Sequence, residues 1–169
     1  MAIGDVMAPV QRKEEPVIET CHLSYFSRLI DSDSFQRLAL VETHRRGVEN
    51  TQQVVAVTDG AVWIQKFVDF HRLDAVRILD FPHAAEHVAL IGKAVWGEGT
   101  DTMKAWLATQ LHQLKHEGPT SVLAELRRLV EERPDQTDLQ EALTYLEKRE
   151  AHLQYPSFQA PVGPLRMAQ

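Results

Sequence analysis

Two short apolar runs, each ending in an aspartate, constrain the fold of this chain most strongly. The first covers residues 54–59 and ends at Asp59, and the second covers residues 75–80 and ends at Asp80. Aliphatic runs without polar alternation are typical of strands buried on both faces of a sheet. A helical pattern over residues 61–71 separates the two runs. This order favours two parallel strands joined by a right-handed crossover, with both aspartates at one edge of the sheet.

The position of the two aspartates allows two interpretations. Ligands and metal ions in open α/β sheets bind just beyond the carboxyl ends of the strands, which favours a cation site. Aspartate is also a preferred N-cap residue, and a plausible helix start follows both Asp59 and Asp80. The pattern alone leaves both interpretations open.

Most of the remaining chain is predicted to be helical. One apolar stripe begins near Ser24, and a second helix is predicted to end at Gly47 before the first strand. Beyond Pro82 the pattern indicates four helices joined by short connections. Their boundaries are marked by Gly97, Gly118 and Pro134. The tryptophans, together with Tyr145 and Tyr155, are assigned packing roles. The fold class is therefore α/β and predominantly helical.

The charge balance argues against this chain being a nucleic-acid-binding surface by itself. Its 169 residues carry a formal net charge of −6, whereas phosphate binding depends on clustered Lys and Arg. The apolar stretches are far shorter than a bilayer span, and residues 1–16 contain no apolar segment like that of a secretory signal. We expect a cytoplasmic location and no membrane contact, which the single cysteine, Cys21, also suits.

A second candidate site follows Asp80. The residues His83, Glu86 and His87 match the H-x-x-E-H pattern of inverted zinc peptidases, in which both histidines bind zinc and the glutamate is the base. The pattern is short, ordinary helices produce it by chance, and no further ligand stands out. A solvated histidine pair on an amphipathic helix explains it better than a zinc site does.

Two longer blocks of the sequence resemble the insertion-sequence transposases of the ISKra type. They are residues 57–64, VTDGAVWI, and residues 78–87, ILDFPHAAEH. Shorter matches occur in the family's order at Ser24-Tyr25, Arg45-Arg46-Gly47, Trp106, residues 111–115 (LHQLK), residues 145–149 (YLEKR) and Tyr155-Pro156. The resemblance extends over about residues 24–158.

The resemblance implies a mutator-like transposase with a ribonuclease-H-like catalytic core and a helical insertion. Such enzymes use an Asp-Asp-Glu (DDE) triad that binds two magnesium ions to cut and join DNA. By position, Asp59 matches the second acid, which implies a catalytic, magnesium-binding role. Asp80 and His83 match an Asp-x-x-His signature, which implies that they position the substrate or the active-site acid. Glu86 and His87 belong to the same block, which gives the zinc-like pattern another origin.

The sequence departs from the family at both ends. The family's three opening strands, the first of which carries its first catalytic acid, have no counterpart before Ser24, and residues 160–169 diverge where the third acid would follow. We therefore expect a truncated transposase that is inactive alone, although the intact mobile element would perform DNA transposition and recombination at transposon ends. Four segments are expected: an irregular leader over 1–19, a partial ribonuclease-H-like core over 20–97, a helical insertion over 98–150 and an irregular tail over 151–169.

Two other functions remain open at this point. One is a non-catalytic helical interaction domain, and the other is a zinc hydrolase that uses His83, Glu86 and His87. A sheet of only two strands also exposes its edges, so we expect self-association.

Overall fold

The computed structural model describes residues 1–7, 10–12 and 15–159. The predicted α/β class and the predominance of helix are confirmed. No helix within the described residues is long and apolar enough to span a membrane. The elements are β1 (Ala2–Val6), β2 (Val10–Arg12), β3 (Glu15–Val17), β4 (Thr20–Tyr25), α1 (Ser32–Arg45), β5 (Val55–Thr58), α2 (Val62–His71), β6 (Val76–Leu79), α3 (Phe81–Trp96), α4 (Asp101–His116), α5 (Pro119–Glu131), α6 (Thr137–Glu147) and α7 (Tyr155–Gln159).

The predicted strand–helix–strand unit is present as β5, α2 and β6. Main-chain hydrogen bonds run from Val76 N to Val54 O at 2.9 Å and from Asp80 N to Thr58 O at 2.7 Å. Because the bonded partners advance together along both strands, the pair is parallel. Asp59 directly follows β5 and Asp80 directly follows β6. Both aspartates therefore lie just beyond the carboxyl ends of neighbouring strands, as predicted.

β5 is less buried than the sequence predicts. Val55 is 39% exposed and Val57 is 60% exposed, whereas Ala56 and Thr58 are partly buried. Within the described residues β5 pairs with β6 alone. The expectation of burial on both faces is thus wrong for this strand, because nothing in that part of the chain covers its valine face.

The structure corrects the prediction for the N-terminal segment. Instead of an irregular leader over 1–19, β1 pairs with β4 and β2 pairs with β3, both antiparallel. The helical stripe expected from Ser24 is wrong, because Thr20–Tyr25 is a strand and α1 begins only at Ser32. The Asp31 side chain caps α1 by accepting a hydrogen bond from Ser34 N. The β1–β4 pairing joins segments that are separated along the chain, so local periodicity does not predict it.

The chain divides into two compact units. The sequence predicted a boundary between residues 97 and 98, and the structure does not place one there. α3 buries Ala84, Val88 and Ile91 in one hydrophobic core with residues of α4, α5 and α6, so α3 belongs with the helices that follow it. The tail prediction is corrected in part, since α7 covers Tyr155–Gln159 and residues 160–169 lie outside the described residues. Of the described residues, unit 1 comprises those within Met1–Ala56 and Ala61–Arg77 together with Phe158 and Gln159, and unit 2 comprises Val57–Gly60 and Ile78–Ser157.

Each unit has its own apolar interior. In unit 1 the buried apolar side chains include Ala39, Val68 and Ala75. In unit 2 the helices α3 to α6 bury a leucine-rich core, which contains Leu114, Leu123, Leu126, Leu129, Leu139 and Leu146. The predicted helix boundaries in unit 2 are confirmed at Gly97, which ends α3, and at Gly118, which precedes α5.

Candidate functional site

Asp59 lies in the turn that follows β5. The Thr58 hydroxyl accepts a hydrogen bond from Gly60 N at 3.2 Å, which tightens this turn. The N-cap residue of α2 is Ala61. The capping interpretation therefore does not apply to Asp59, although aspartate is a favoured cap in general.

Asp80 occupies the N-cap position of α3, but its side chain makes no capping hydrogen bond. Its Oδ2 atom instead lies 3.1 Å from Nδ1 of His83. The Asp80 and His83 side chains are 40% and 43% exposed, so solvent screens their interaction and it adds little to stability. The structure thus brings together the two residues of the Asp-x-x-His signature where solvent reaches them.

Tyr145, near the end of α6, and Arg149, two residues beyond that helix, hold the turn at Asp59 in place. The Tyr145 hydroxyl donates a hydrogen bond to the main-chain carbonyl of Asp59. The Arg149 guanidinium donates two hydrogen bonds to the carbonyl of Gly60, from Nε at 3.1 Å and from Nη2 at 2.6 Å. These bonds join the strand end to the helical core of unit 2.

Arg149 and Tyr145 also stabilise each other. The guanidinium carbon lies 3.7 Å from the centroid of the tyrosine ring, within the range of a cation–π contact. Its Nη1 atom donates to the Tyr145 carbonyl at 2.9 Å. Burial raises the pKa of Tyr145, and the Asp59 carboxylate adds to the increase, while the Arg149 charge opposes it. Tyr145 therefore remains a protonated hydrogen-bond donor near neutral pH.

Gly60 is required by this arrangement. Its φ of +78° is in the left-handed region that favours glycine. A Cβ atom at this position would lie 2.9 Å from the Tyr145 hydroxyl and 2.9 Å from Arg149 Cδ. The Asp-Gly dipeptide thus provides both the turn and the space for the two side chains.

Tyr155 anchors the neighbouring strand in the same manner. Its buried hydroxyl donates to the carbonyl of Leu79 at 2.8 Å, one residue before Asp80. The ring packs edge-on against Phe81 with centroids 5.2 Å apart. Burial, and secondarily the Asp80 charge, hold the pKa of Tyr155 far above its ordinary value. Both strand ends are therefore fixed by tyrosines from the C-terminal part of unit 2.

We name the group formed by Asp59, Gly60, Asp80, His83, Tyr145 and Arg149 the strand-tip site. Sequence reasoning identified both aspartates and His83 but gave Tyr145 only a packing role. Tyr145 and Arg149 both lie in residues 145–149, one of the blocks in which the sequence resembles the transposases. That shared block was the feature of the sequence that pointed to them. Their hydrogen bonds to carbonyl groups more than eighty residues away leave no local pattern in the sequence.

His87 lies beside the strand-tip site. Its ring stacks on Tyr145, with centroids 3.9 Å apart and an angle of 18° between the rings. Its Nδ1 atom is buried and has no hydrogen-bond partner among the described residues. Burial and, secondarily, the Arg149 charge lower the pKa of His87. His87 is therefore a neutral stacking partner at neutral pH rather than a solvated member of a histidine pair.

Among the described residues, the potential metal ligands at the strand-tip site do not form a group of three. Among the described residues, one group of three His, Cys, Asp or Glu side chains has ligand atoms within 4.8 Å of one another, and it is Asp5, Cys21 and His22. The zinc-like set of His83, Glu86 and His87 does not meet this condition in the described chain. Two-metal catalysis needs several carboxylates around two ions roughly 4 Å apart, and among the described residues no group of three such ligands includes Asp59.

Comparisons of the chain with protein-family models, with curated proteins and with solved structures found no match. They assign no family, so the residues and geometry of the strand-tip site are the basis for a functional proposal.

Proposed function

We propose that this chain is the central segment of a DDE-type transposase with a ribonuclease-H-like core. In this proposal Asp59 is one of three carboxylate ligands for magnesium, and the complete enzyme cuts and joins DNA at transposon ends. Magnesium ions in such a site activate the attacking oxygen and stabilise the leaving oxygen. The cytoplasmic location expected from the sequence belongs to the same proposal.

The observation that carries the proposal is the convergence of sequence blocks at the strand-tip site. Asp59 and Asp80 come from the two longer blocks, whereas Tyr145 and Arg149 come from a block more than sixty residues further along the chain. Hydrogen bonds join the later block to the Asp59–Gly60 turn. This convergence supports the proposal, because the proposal expects the resembling blocks to meet at the end of the parallel strand pair.

The geometry also supports separate roles for the two aspartates. The main chain of Asp59 is fixed by Tyr145, and a rigid backbone suits a carboxylate that must hold a metal ion in one place. Asp80 is engaged with His83 at 3.1 Å, which suits a pair that positions DNA or an active-site acid. With one triad residue among the described residues, we expect no strand transfer by this chain alone.

A second candidate is a non-catalytic helical interaction domain. It is favoured by the leucine-rich core of α3 to α6 and by the absence of a three-ligand group around Asp59 among the described residues. In that case the bonds from Tyr145 and Arg149 would serve stability only.

The nucleotide sequence on both sides of the gene discriminates between the two candidates. The transposase proposal expects reading frames for the first and third catalytic acids, bounded by inverted repeats. Flanks that contain neither feature would overturn it and favour the interaction domain.

A nuclease assay on the purified chain tests the predicted inactivity. Supercoiled plasmid is incubated with the chain and Mg²⁺ or Mn²⁺, and we expect no nicking. Metal-dependent nicking that is lost in Asp59→Ala, but retained in the exposed control Asp101→Ala, would show that the chain is active alone. Nicking that Asp59→Ala leaves unchanged would contradict the metal-ligand role of Asp59.

A further inference from the structure

Three potential metal ligands meet on the β1–β4 strand pair of unit 1. The Asp5 Oδ2 atom lies 2.9 Å from His22 Nδ1, and that nitrogen lies 3.4 Å from Cys21 Sγ. All three ligand atoms lie within 4.8 Å of one another. In tetrahedral zinc sites with ordinary bond lengths, neighbouring ligand atoms are about 3.3–3.8 Å apart. The Cys21–His22 separation of 3.4 Å falls in this range, and the His22–Asp5 separation of 2.9 Å is a hydrogen-bond distance that would lengthen slightly when a zinc ion replaces the shared proton.

An irregularity in the strand pairing brings these ligands together. Consecutive residues of a regular strand point to opposite faces of the sheet, so Cys21 and His22 would ordinarily diverge. Here the register shifts between Ile3 and Asp5, and His22 has a φ of +48°. A bulge of this kind re-aims a side chain. Cys21 is paired directly with Asp5 across the strands, and the bulge adds the neighbouring imidazole to the same place.

The bulge is maintained although its backbone is strained. A histidine at positive φ costs free energy, and such strain is concentrated at functional sites. Gly4 lies on β1 at the register shift, where an added Cβ atom would come within 2.9 Å of the Cys21 carbonyl oxygen. A glycine there lets the strands approach closely enough to hold Cys21 and His22 in this arrangement.

The surroundings favour a thiophilic ion. Met7 Sδ lies 3.2 Å from Cys21 Sγ, so two sulfur atoms, one imidazole and one carboxylate are grouped. Arg46 Nη2 lies 3.5 Å from Asp5 Oδ1, which orients the carboxylate and leaves Oδ2 toward His22. The arginine charge reduces the affinity for any cation. Thiolate and imidazole together select zinc over magnesium or calcium.

We propose that Asp5, Cys21 and His22 form a zinc-binding site on the bulged β1–β4 pair. Three protein ligands leave a fourth position for water or for the Met7 thioether, as in zinc sites that keep an open position. The site is separate in its ligands and its chemistry from the magnesium role proposed for Asp59, and it does not depend on that role.

Zinc binding by the full-length, reduced chain tests the proposal. Equilibrium dialysis against Zn²⁺ with elemental analysis is expected to give one ion per chain. Cys21→Ser, His22→Gln and Asp5→Asn should each weaken binding at least about tenfold, since even the loss of an outer-shell partner has effects of this size. The control is His44→Gln, which removes an exposed histidine that pairs with Glu49 at 2.6 Å and should leave binding unchanged.

Cobalt substitution identifies the ligand atoms. Co²⁺ bound by the wild-type chain should show a thiolate-to-metal charge-transfer band that disappears in Cys21→Ser and persists in His44→Gln. Circular dichroism of each variant establishes that it is folded, and any one of the three ligand variants that folds is sufficient for the test. The proposal is overturned if no zinc binds. It is also overturned if binding survives the ligand variants, or is lost only when His83 and His87 are replaced.

Discussion

The Tyr145 hydroxyl donates a hydrogen bond to the main-chain carbonyl of Asp59, a residue 86 positions earlier in the chain. Arg149 repeats this relationship one residue further along, at the carbonyl of Gly60. Both bonds end on the backbone, so they fix the path of the turn without using the Asp59 carboxylate. The acid at the strand tip is thereby held by the helical core that follows it in sequence.

Replacing Tyr145 by phenylalanine tests the contribution of this hydrogen bond. The substitution removes the donor and leaves the Asp59 carbonyl without that partner, so the free energy of unfolding should fall by about 1 kcal/mol. Urea denaturation followed by circular dichroism measures the change. Tyr25→Phe is the matched control, because this tyrosine is 75% exposed, and it should have almost no effect. Equal effects of the two substitutions would contradict the proposed anchoring role.

Tyr155→Phe should destabilise the chain more than Tyr145→Phe. The Tyr155 hydroxyl bonds to the Leu79 carbonyl in a buried position, at 2.8 Å. A carbonyl left unsatisfied inside the protein costs about 1–3 kcal/mol, and the same urea experiment gives the difference. A smaller effect for Tyr155 than for Tyr145 would show that burial does not govern the strength of these anchors.

Gly60→Ala should destabilise the chain more than Gly99→Ala. Both glycines have nearly the same φ, +78° and +77°, so alanine introduces a similar backbone strain of about 1 kcal/mol at either position. Only at Gly60 would the new methyl group also meet Arg149 and Tyr145, since nothing lies within 4 Å of the Gly99 position. Overpacking adds about 1–3 kcal/mol. Thermal and urea denaturation measure the stability of both variants. Equal losses of stability would contradict the close contact of residue 60 with Arg149 and Tyr145.

Local patterns account for the elements that the sequence predicted correctly. Gly97, Gly118 and Pro119 end or begin helices through their own backbone chemistry, and the apolar runs before Asp59 and Asp80 are short enough to be strands. Long-range contacts account for what was missed. The pairing of β1 with β4 and the bonds from Arg149 to Gly60 depend on residues far apart in sequence, and the exposure of Val57 depends on which strands are present beside β5.

Stability should fall as the pH is lowered from neutrality because of His87. Burial lowers the pKa of His87 in the folded state, whereas in the unfolded chain this histidine takes up a proton at about pH 6.5. Below that pH the unfolded state binds more protons, so the free energy of unfolding decreases until the pH reaches the lower, folded-state pKa. His71 is expected to contribute in the same direction, since burial also lowers its pKa.

NMR titration of the imidazole signals measures these pKa values directly, and urea denaturation between neutral and mildly acidic pH measures the stability. His87→Gln should reduce the loss of stability on acidification, and the double variant with His71→Gln should reduce it further. A His87 pKa at or above its ordinary value would contradict the buried, neutral state inferred from its stacking on Tyr145.

Self-association should depend on the valine face of β5. Val57 is 60% exposed on a strand that, within the described part of the chain, pairs with β6 alone, and unpaired strand edges recruit other strands. Val57→Lys should weaken association, because a charge on an edge strand opposes pairing. Leu73→Lys is the control. Leu73 is 75% exposed but lies in the turn before β6, so this substitution should leave self-association unchanged. Sedimentation velocity over a range of concentrations gives the result. A wild-type chain that remains monomeric throughout, or an equal response to both substitutions, would exclude β5 as the associating edge.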